Sequence, residues 1–209
     1  PTDQWQVTWR PRFTYWLSRG YAIAVVDPRG STGFGRAHQI ALEGQWGSAD
    51  ADDLAVATRD AQSVLGIAPA RTALMGGSAG GLTVLSAANR HASLAAAVVT
   101  LYPVVDLPLL LGSDDPFEGH YNHVLIGDVS VSPNLDVQHL RDVPVLVFHG
   151  DRDELVVPEH SHRLKQAVES AGGNVRVTMM EGEGHGFRGA ANVMREFSET
   201  EEFLAVCLP

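Results

Sequence analysis

The chain has 209 residues, 44% of them apolar and 19% charged, and its formal net charge is −10 at pH 7. This composition is typical of one globular domain with a sizeable core, and it argues against disorder. Residues 101–209 carry 18 acidic and only 7 basic side chains, and an acidic surface without a basic stripe excludes nucleic acids and anionic membranes as expected partners.

Apolar patterning predicts helices and strands that alternate along the chain. In chain order these are a helix at 10–19, a strand at 21–27, a helix at 50–65, a strand at 72–75, a helix at 81–89, a strand at 94–101, an irregular acidic segment at 103–142, a strand at 143–150, a helix at 158–171, a strand at 174–180 and a helix at 190–206. The strands are continuous apolar runs, which are typical of strands buried on both faces. The pattern therefore predicts a single α/β domain over residues 1–209, with a mostly parallel sheet and helices on both faces.

The sequence G-G-S-A-G at residues 76–80 places Ser78 between a predicted strand and a predicted helix. A sharp strand-to-helix turn drives its central residue toward strained backbone angles, and flanking glycines let the strand, the helix and a ligand approach closely. This is the pattern of the G-x-S-x-G nucleophile elbow. An ordinary glycine-rich turn has the same sequence signature, so the interpretation requires a base and an acid that activate the serine.

Candidate acids and a candidate base follow the last two predicted strands. Because functional residues collect at the carboxyl ends of parallel strands, the loops after those strands are the places to look. The first loop supplies Asp151, Asp153 and Glu154, and spacing alone leaves all three open since loop carboxylates also bind backbone amides. The second loop supplies His185 between two glycines. The chain order Ser…Asp…His is that of α/β hydrolases.

The remaining histidines are interpreted as surface or packing residues, with His149 a structural hydrogen-bonding residue at the end of a strand. His160 and His162 stand two apart on a predicted helix and face different directions, and no H-E-x-x-H pattern accompanies them, so we predict neither a metal nor an organic cofactor. The single cysteine, Cys207, permits no internal disulfide, and a reducing, cytoplasmic location is expected. The apolar runs are far too short to cross a bilayer.

Five segments follow one another along the chain: GYAIAVVDPRGSTGFGRA, GQWGSADADDL, GGSAGG, SPNLDVQHLRDVPVLVFHGDRDELVVP and EGEGHGF. In sequence and in order they resemble the catalytic domain of the prolyl oligopeptidase family of serine peptidases, which has the α/β-hydrolase fold. The likeness covers nearly the whole chain. The DPRGSTGFG and GQWG segments look closest to acylaminoacyl peptidases and to bacterial dipeptidyl or oligopeptidases of the family.

The resemblance implies roles for individual residues and a substrate class. Ser78 would be the nucleophile, Asp153 the acid and His185 the base, and the backbone N–H of Ala79 would donate to the oxyanion. The pocket for the residue before the scissile bond would be lined by Val156 and by the segment 102–105, with Tyr102, Val104 and Val105 as its substrate-binding residues. Leu155 departs from several relatives, which place there an arginine or asparagine that binds a substrate carbonyl. Short peptides or acylated amino acids are the expected substrates.

The resemblance also implies a segment that precedes residue 1. In the family a second oxyanion donor comes from an H-G-G-P-like loop, and the strand before that loop lies between the two predicted here at 21–27 and 72–75. A missing central strand would leave unpaired backbone groups, so we expect the chain to be the C-terminal part of a longer polypeptide that includes the rest of the hydrolase domain and, as in relatives, a β-propeller. The weaker alternative is a substitute strand at 5–9, W-Q-V-T-W.

Three functions therefore remain open at this point. A serine peptidase is predicted, a carboxylesterase that uses the same triad on esters is the enzymatic alternative, and an inert fragment without a complete oxyanion hole is the third. The oligomeric state, the residue preferred at the scissile bond and endo- or exo-action are not determined by the sequence.

Overall fold

The computed structural model describes residues 6, 8–111, 119–126 and 135–209. Within them the α-helices are α1 (Pro11–Ser18), α2 (Arg36–Ile40), α3 (Ala49–Leu65), α4 (Ala79–Arg90), α5 (Leu107–Leu111), α6 (Gly119–Ile126), α7 (Glu159–Ser170) and α8 (Ala190–Cys207). The strands are β1 (Ala73–Gly77), β2 (Ala97–Leu101), β3 (Val145–Gly150) and β4 (Val175–Met180). Short 3₁₀ turns occur at Pro69–Arg71 and Leu140–Asp142.

The four strands form one parallel sheet in the order β1-β2-β3-β4. Its register pairs Gly77 with Leu101, Leu101 with Phe148, and Phe148 with Thr178. Every residue of β2 and β3 is buried, as the continuous apolar runs predict for central parallel strands. Because all four strands run in one direction, the loops that follow β1, β3 and β4 emerge at the same edge of the sheet.

Helices cover both faces of the sheet, which confirms the predicted layering. On one face α3, α4 and α7 bury side chains such as Leu85 and Leu164 against Val98 and Val147. On the other face α1 and α8 bury Trp16 and Leu204 against Val99, Leu146 and Phe148. A third buried cluster joins α4 and α5 to the loop after β3, and its members include Leu82, Val104, Leu107, Leu110 and Val156.

The strand predicted at 21–27 does not form, and this prediction is wrong for the described chain. The segment is irregular, with Tyr21 and Ile23 packed against the cluster around Trp16 and with Val25 44% exposed. An apolar segment becomes a strand only when a neighbour supplies hydrogen-bond partners, and β1 pairs with β2 alone among the described residues.

Two other predicted segments are described only in part. The segment 103–142 is expected to be irregular, but α5, α6 and the second 3₁₀ turn lie within it. Residues 112–118 and 127–134 lie outside the described residues. The substitute strand proposed at 5–9 is also only partly described, and its residues 6, 8 and 9 are not in a strand.

Candidate active site

Ser78 occupies the turn between β1 and α4, in a backbone conformation that a serine rarely adopts. Its φ of 54° and ψ of −121° are strained, which costs on the order of 1–3 kcal/mol. The backbone on either side of Ser78 approaches closely: a Cβ added to Gly76 would lie 2.2 Å from the carbonyl oxygen of Gly80. Ser78 also donates its N–H to Leu101 O at 2.9 Å. Gly76 is therefore a steric requirement of the turn, whereas a Cβ added to Gly80 would meet nothing within 4 Å.

His185 lies in the loop after β4, with its imidazole between two polar partners. Nε2 is 2.9 Å from Ser78 Oγ, and Nδ1 is 2.8 Å from Asp153 Oδ2. A carboxylate accepts from Nδ1–H, so Nε2 carries the lone pair that faces the serine hydroxyl. The three side chains, which are 107 and 32 residues apart along the chain, form one continuous hydrogen-bonded series. This arrangement can remove a proton from Ser78.

Asp153 is the one candidate acid that reaches His185. It is buried, and its Oδ1 accepts hydrogen bonds from the backbone N–H of Leu155 and of Val156 at 3.1 and 2.9 Å. Burial by itself would raise the pKa of Asp153, but the contacts of His149 and His185 and the Val156 amide outweigh it and hold that pKa well below its usual range. The carboxylate is therefore an anion wherever an imidazole can act as a base.

The other two candidate acids lie elsewhere. Asp151 is exposed and accepts the N–H of Gly182 at 2.7 Å, which ties the two loops together as a loop aspartate often does. Glu154 is exposed. The sequence left the choice among the three carboxylates to the resemblance, whereas the structure distinguishes them by burial and by distance.

The predicted pocket residues divide between two environments. Val104 and Val156 are each 2% exposed in the same buried cluster, against which Ala79 packs. Val105 is completely buried in the cluster on the sheet face under α3 and α4, so its side chain does not join them. Tyr102 is half-buried at a φ of 38°, and its ring centroid lies 4.5 Å from that of His185. Tyr102 therefore packs on the imidazole itself.

The backbone N–H of Ala79 opens helix α4, directly after the serine. Among the described residues no group accepts a hydrogen bond from it. The first amides of a helix point along its axis toward the partial positive end of the helix dipole, which favours a negative charge there. Ala79 is thus suited to contact an oxyanion.

Glu183 is a residue of this site that the sequence interpretation missed. Its buried carboxylate accepts the backbone N–H of Arg188 at 2.9 Å and of Gly189 at 2.8 Å, together with the side-chain amide of Asn192 at 2.9 Å. These hydrogen bonds lower the pKa of Glu183, and the bond from the Arg188 amide contributes most. The backbone oxygen of Glu183 also accepts from Arg152 N. Glu183 therefore connects the loop that carries His185 to helix α8 and to the loop that carries Asp153. In the sequence, its position two residues before His185 is the feature that could have identified it.

His160, which the sequence interpretation treats as a surface or packing residue, is 1% exposed. Its Nδ1 accepts from the backbone N–H of Val105 and of Asp106 at 3.2 and 3.1 Å. Burial lowers the pKa of His160 to about 4. Within the described residues no cluster of three His, Cys, Asp or Glu side chains could hold a metal ion, and no helix there has the length and apolarity to cross a bilayer.

A parallel sheet with helices on both faces and a serine at a strained strand-to-helix turn defines the class of α/β hydrolases. A model of the prolyl oligopeptidase family matches residues 5–209, and the chain belongs to this family. Both the predicted fold class and the resemblance are thereby confirmed.

Two relatives and one solved structure illustrate the similarity. Dipeptidyl aminopeptidase BIII of Pseudoxanthomonas mexicana is 30% identical over 210 residues, which cover 94% of this chain and 30% of the relative. The acylamino-acid-releasing enzyme of Rattus norvegicus is 26% identical over 173 residues, covering 77% of this chain and 24% of the relative. The structure of a puromycin-hydrolyzing peptidase of Mycobacterium tuberculosis superposes with a TM-score of 0.76 at 34% identity, covering 87% of this chain and 28% of that one. The chain thus spans less than a third of the length of each of these proteins.

Proposed function

We propose that the polypeptide carrying this chain is a serine peptidase that hydrolyses short peptides or acylated amino acids through an acyl-enzyme. The observation that carries the proposal is the hydrogen-bonded series from Ser78 Oγ through His185 to the buried Asp153. Membership of the prolyl oligopeptidase family supports the same reaction class. The names of the relatives, a dipeptidyl aminopeptidase and an acylamino-acid-releasing enzyme, support the substrate class.

In the acylation step Ser78 Oγ attacks the scissile carbonyl carbon while its proton moves to His185 Nε2, 2.9 Å away. The imidazolium that forms is stabilised by the Asp153 anion at Nδ1. When the tetrahedral intermediate collapses, the C–N bond breaks and His185 gives the proton to the leaving amine. The products of this step are a serine ester and a free amine.

In the deacylation step water attacks the ester, His185 takes a proton from that water, and the proton then returns to Ser78 Oγ as the acid product leaves. The Ala79 N–H donates to the oxyanion in both steps. Removal of one such donor typically slows a reaction about 10²- to 10³-fold. A second donor is expected from a segment outside this sequence, together with the rest of the hydrolase domain and a β-propeller.

The pocket for the residue before the scissile bond would be apolar. Val104 and Val156 lie in one buried cluster beside Ala79, and Tyr102 borders the imidazole. Val105 would contribute through its backbone, since its side chain is buried toward the sheet. The single cysteine and the acidic charge favour a cytoplasmic protein that binds neither nucleic acids nor membranes.

The test is a fluorophosphonate probe on the full natural polypeptide, followed by peptide mapping of the labelled residue. We expect labelling at Ser78 and none in Ser78→Ala, with the two proteins matched in thermal stability. Turnover of an aminoacyl arylamide and of the matched ester then separates a peptidase from a carboxylesterase. An unlabelled wild type would refute the proposal, and an enzyme that cleaves only the ester would refute the peptidase part of it.

A further inference from the structure

His149 is a second histidine of this site, and the proposed reaction does not use it. It is completely buried in β3, four residues before Asp153. Its Nε2 lies 2.7 Å from Val156 O, and its Nδ1 lies 2.6 Å from Ser161 Oγ on helix α7. Such a fully paired, buried imidazole fixes the groups that it contacts.

The hydrogen-bond partners determine where the ring proton lies. The carbonyl of Val156 can only accept, so His149 Nε2 carries a hydrogen and donates it. With Nε2 as the donor, Nδ1 accepts the hydroxyl proton of Ser161, which is itself completely buried. The serine thus holds the ring in one tautomer, with Nε2–H directed toward the loop that carries the acid.

The same Nε2–H also faces the carboxylate of the acid. His149 Nε2 lies 3.5 Å from Asp153 Oδ2, the oxygen that accepts from His185 Nδ1. Val156, whose carbonyl His149 holds, donates its own N–H to Asp153 Oδ1 at 2.9 Å. His149 therefore acts on both carboxylate oxygens, on Oδ2 directly and on Oδ1 through Val156. His149 thus holds Asp153 in place together with the amides of Leu155 and Val156.

We infer that His149 is a positioning residue that orients Asp153 toward His185 and sets the position of Val156 in the proposed substrate pocket. It acts through the acid: its polar contacts are with Ser161, Val156 and Asp153, and not with Ser78. This inference rests on the proposed function, because it assigns His149 to the same reaction. Misplacement of a reacting group by about 1 Å can cost on the order of 100-fold in rate, which sets the effect to be measured.

Two amide substitutions separate the two sides of the ring. His149→Asn keeps a polar group near Nδ1 for Ser161 but withdraws the N–H from Val156 O and Asp153. His149→Gln extends its amide N–H to the Nε2 position and keeps the donor. Both variants are made in the full natural polypeptide, and both the rate of fluorophosphonate labelling at Ser78 and the kcat for an aminoacyl arylamide are measured.

Leu164→Ala is the stability control, because Leu164 is completely buried on the same helix as Ser161 but lies in the cluster on the sheet face. At a temperature where all variants are folded, we expect His149→Asn to slow labelling and kcat roughly 100-fold. In His149→Gln both rates should be at least about tenfold higher than in His149→Asn. In Leu164→Ala both rates should stay close to those of wild type, although its Tm falls.

Two results would overturn the inference alone. One is a labelled wild type whose His149→Asn variant reacts no more slowly than Leu164→Ala; the other is a His149→Gln variant that is as slow as His149→Asn. A wild type that is not labelled at Ser78 would instead overturn the proposed function, and the inference with it.

Discussion

Replacement of Asp153 by asparagine changes one atom of the carboxylate, and the structure determines which one. Oδ1 accepts from two backbone amides, Leu155 N at 3.1 Å and Val156 N at 2.9 Å. The asparagine carbonyl oxygen must stay in that position, because an amide NH₂ there would face two N–H donors. The NH₂ group of the variant then faces His185 Nδ1 in place of Oδ2.

An NH₂ group donates, so His185 would have to present its Nδ1 lone pair and carry the proton on Nε2. Nε2–H would then face Ser78 Oγ, and the imidazole could no longer accept the serine proton. A reversed tautomer of this kind costs about 10⁴-fold in kcat, which is equivalent to about 5 kcal/mol of transition-state stabilisation. Asp153→Asn should therefore lose activity by about four orders of magnitude and keep its fold.

The assay is arylamide turnover by the full natural polypeptide, with burst analysis to separate acylation from product release. Asp151→Asn is the matched control, since Asp151 is exposed and its carboxylate accepts the N–H of Gly182 on the loop surface. We expect the arylamide turnover of Asp151→Asn to stay within about threefold of that of wild type, because substitutions at exposed positions usually have small effects. Equal losses in the two variants would refute the tautomer argument, and the reverse order would assign the acid to Asp151.

Three further predictions concern the elements that hold the site. Gly76→Ala should lower the free energy of unfolding in urea by about 3 kcal/mol, because its Cβ would lie 2.2 Å from Gly80 O. The control is Gly80→Ala, whose Cβ meets nothing within 4 Å and which should unfold like wild type. Similar behaviour of both variants would contradict the steric argument. Glu183→Gln should lower the Tm and slow labelling at Ser78, unlike the exposed Glu181→Gln. Because the pKa of Glu183 is lowered in the folded state, its contribution to stability is present above the unfolded pKa of about 4.3. The Tm difference between wild type and Glu183→Gln should therefore shrink as the pH falls below that value. A pH-independent difference would contradict this prediction. Burial lowers the pKa of His160 to about 4, so the unfolded chain binds more protons and stability should fall as the pH decreases from about 6.5 toward 4. His160→Asn, which keeps an acceptor at the Nδ1 position, should flatten that part of the stability profile, and an unchanged slope would exclude His160 as its source.

Apolar patterning predicted most of the helices and strands, because the residues that favour each element lie within the element itself. The helix predicted at 50–65 forms as Ala49–Leu65, and the strand predicted at 174–180 forms as Val175–Met180. The apolar run at 21–27 has an equally good strand pattern, yet it is irregular. A strand requires a partner elsewhere in the chain, so no pattern within the segment can guarantee one.

The sequence by itself determined the residue types, their order along the chain and the turn that presents Ser78, since the G-G-S-A-G pattern between an apolar run and a helix is a local signal. It also placed an acid and a histidine in loops after parallel strands. Only the tertiary structure decided that Asp153, rather than Asp151, reaches His185.

The tertiary structure likewise assigned Glu183 and His149 to the support of those loops and buried Val105 away from Val104. These assignments depend on distances of about 3 Å between groups that lie far apart in the sequence. Such distances are fixed when the sheet aligns the ends of its strands and the helices pack on both faces. Local propensity carries no information about them.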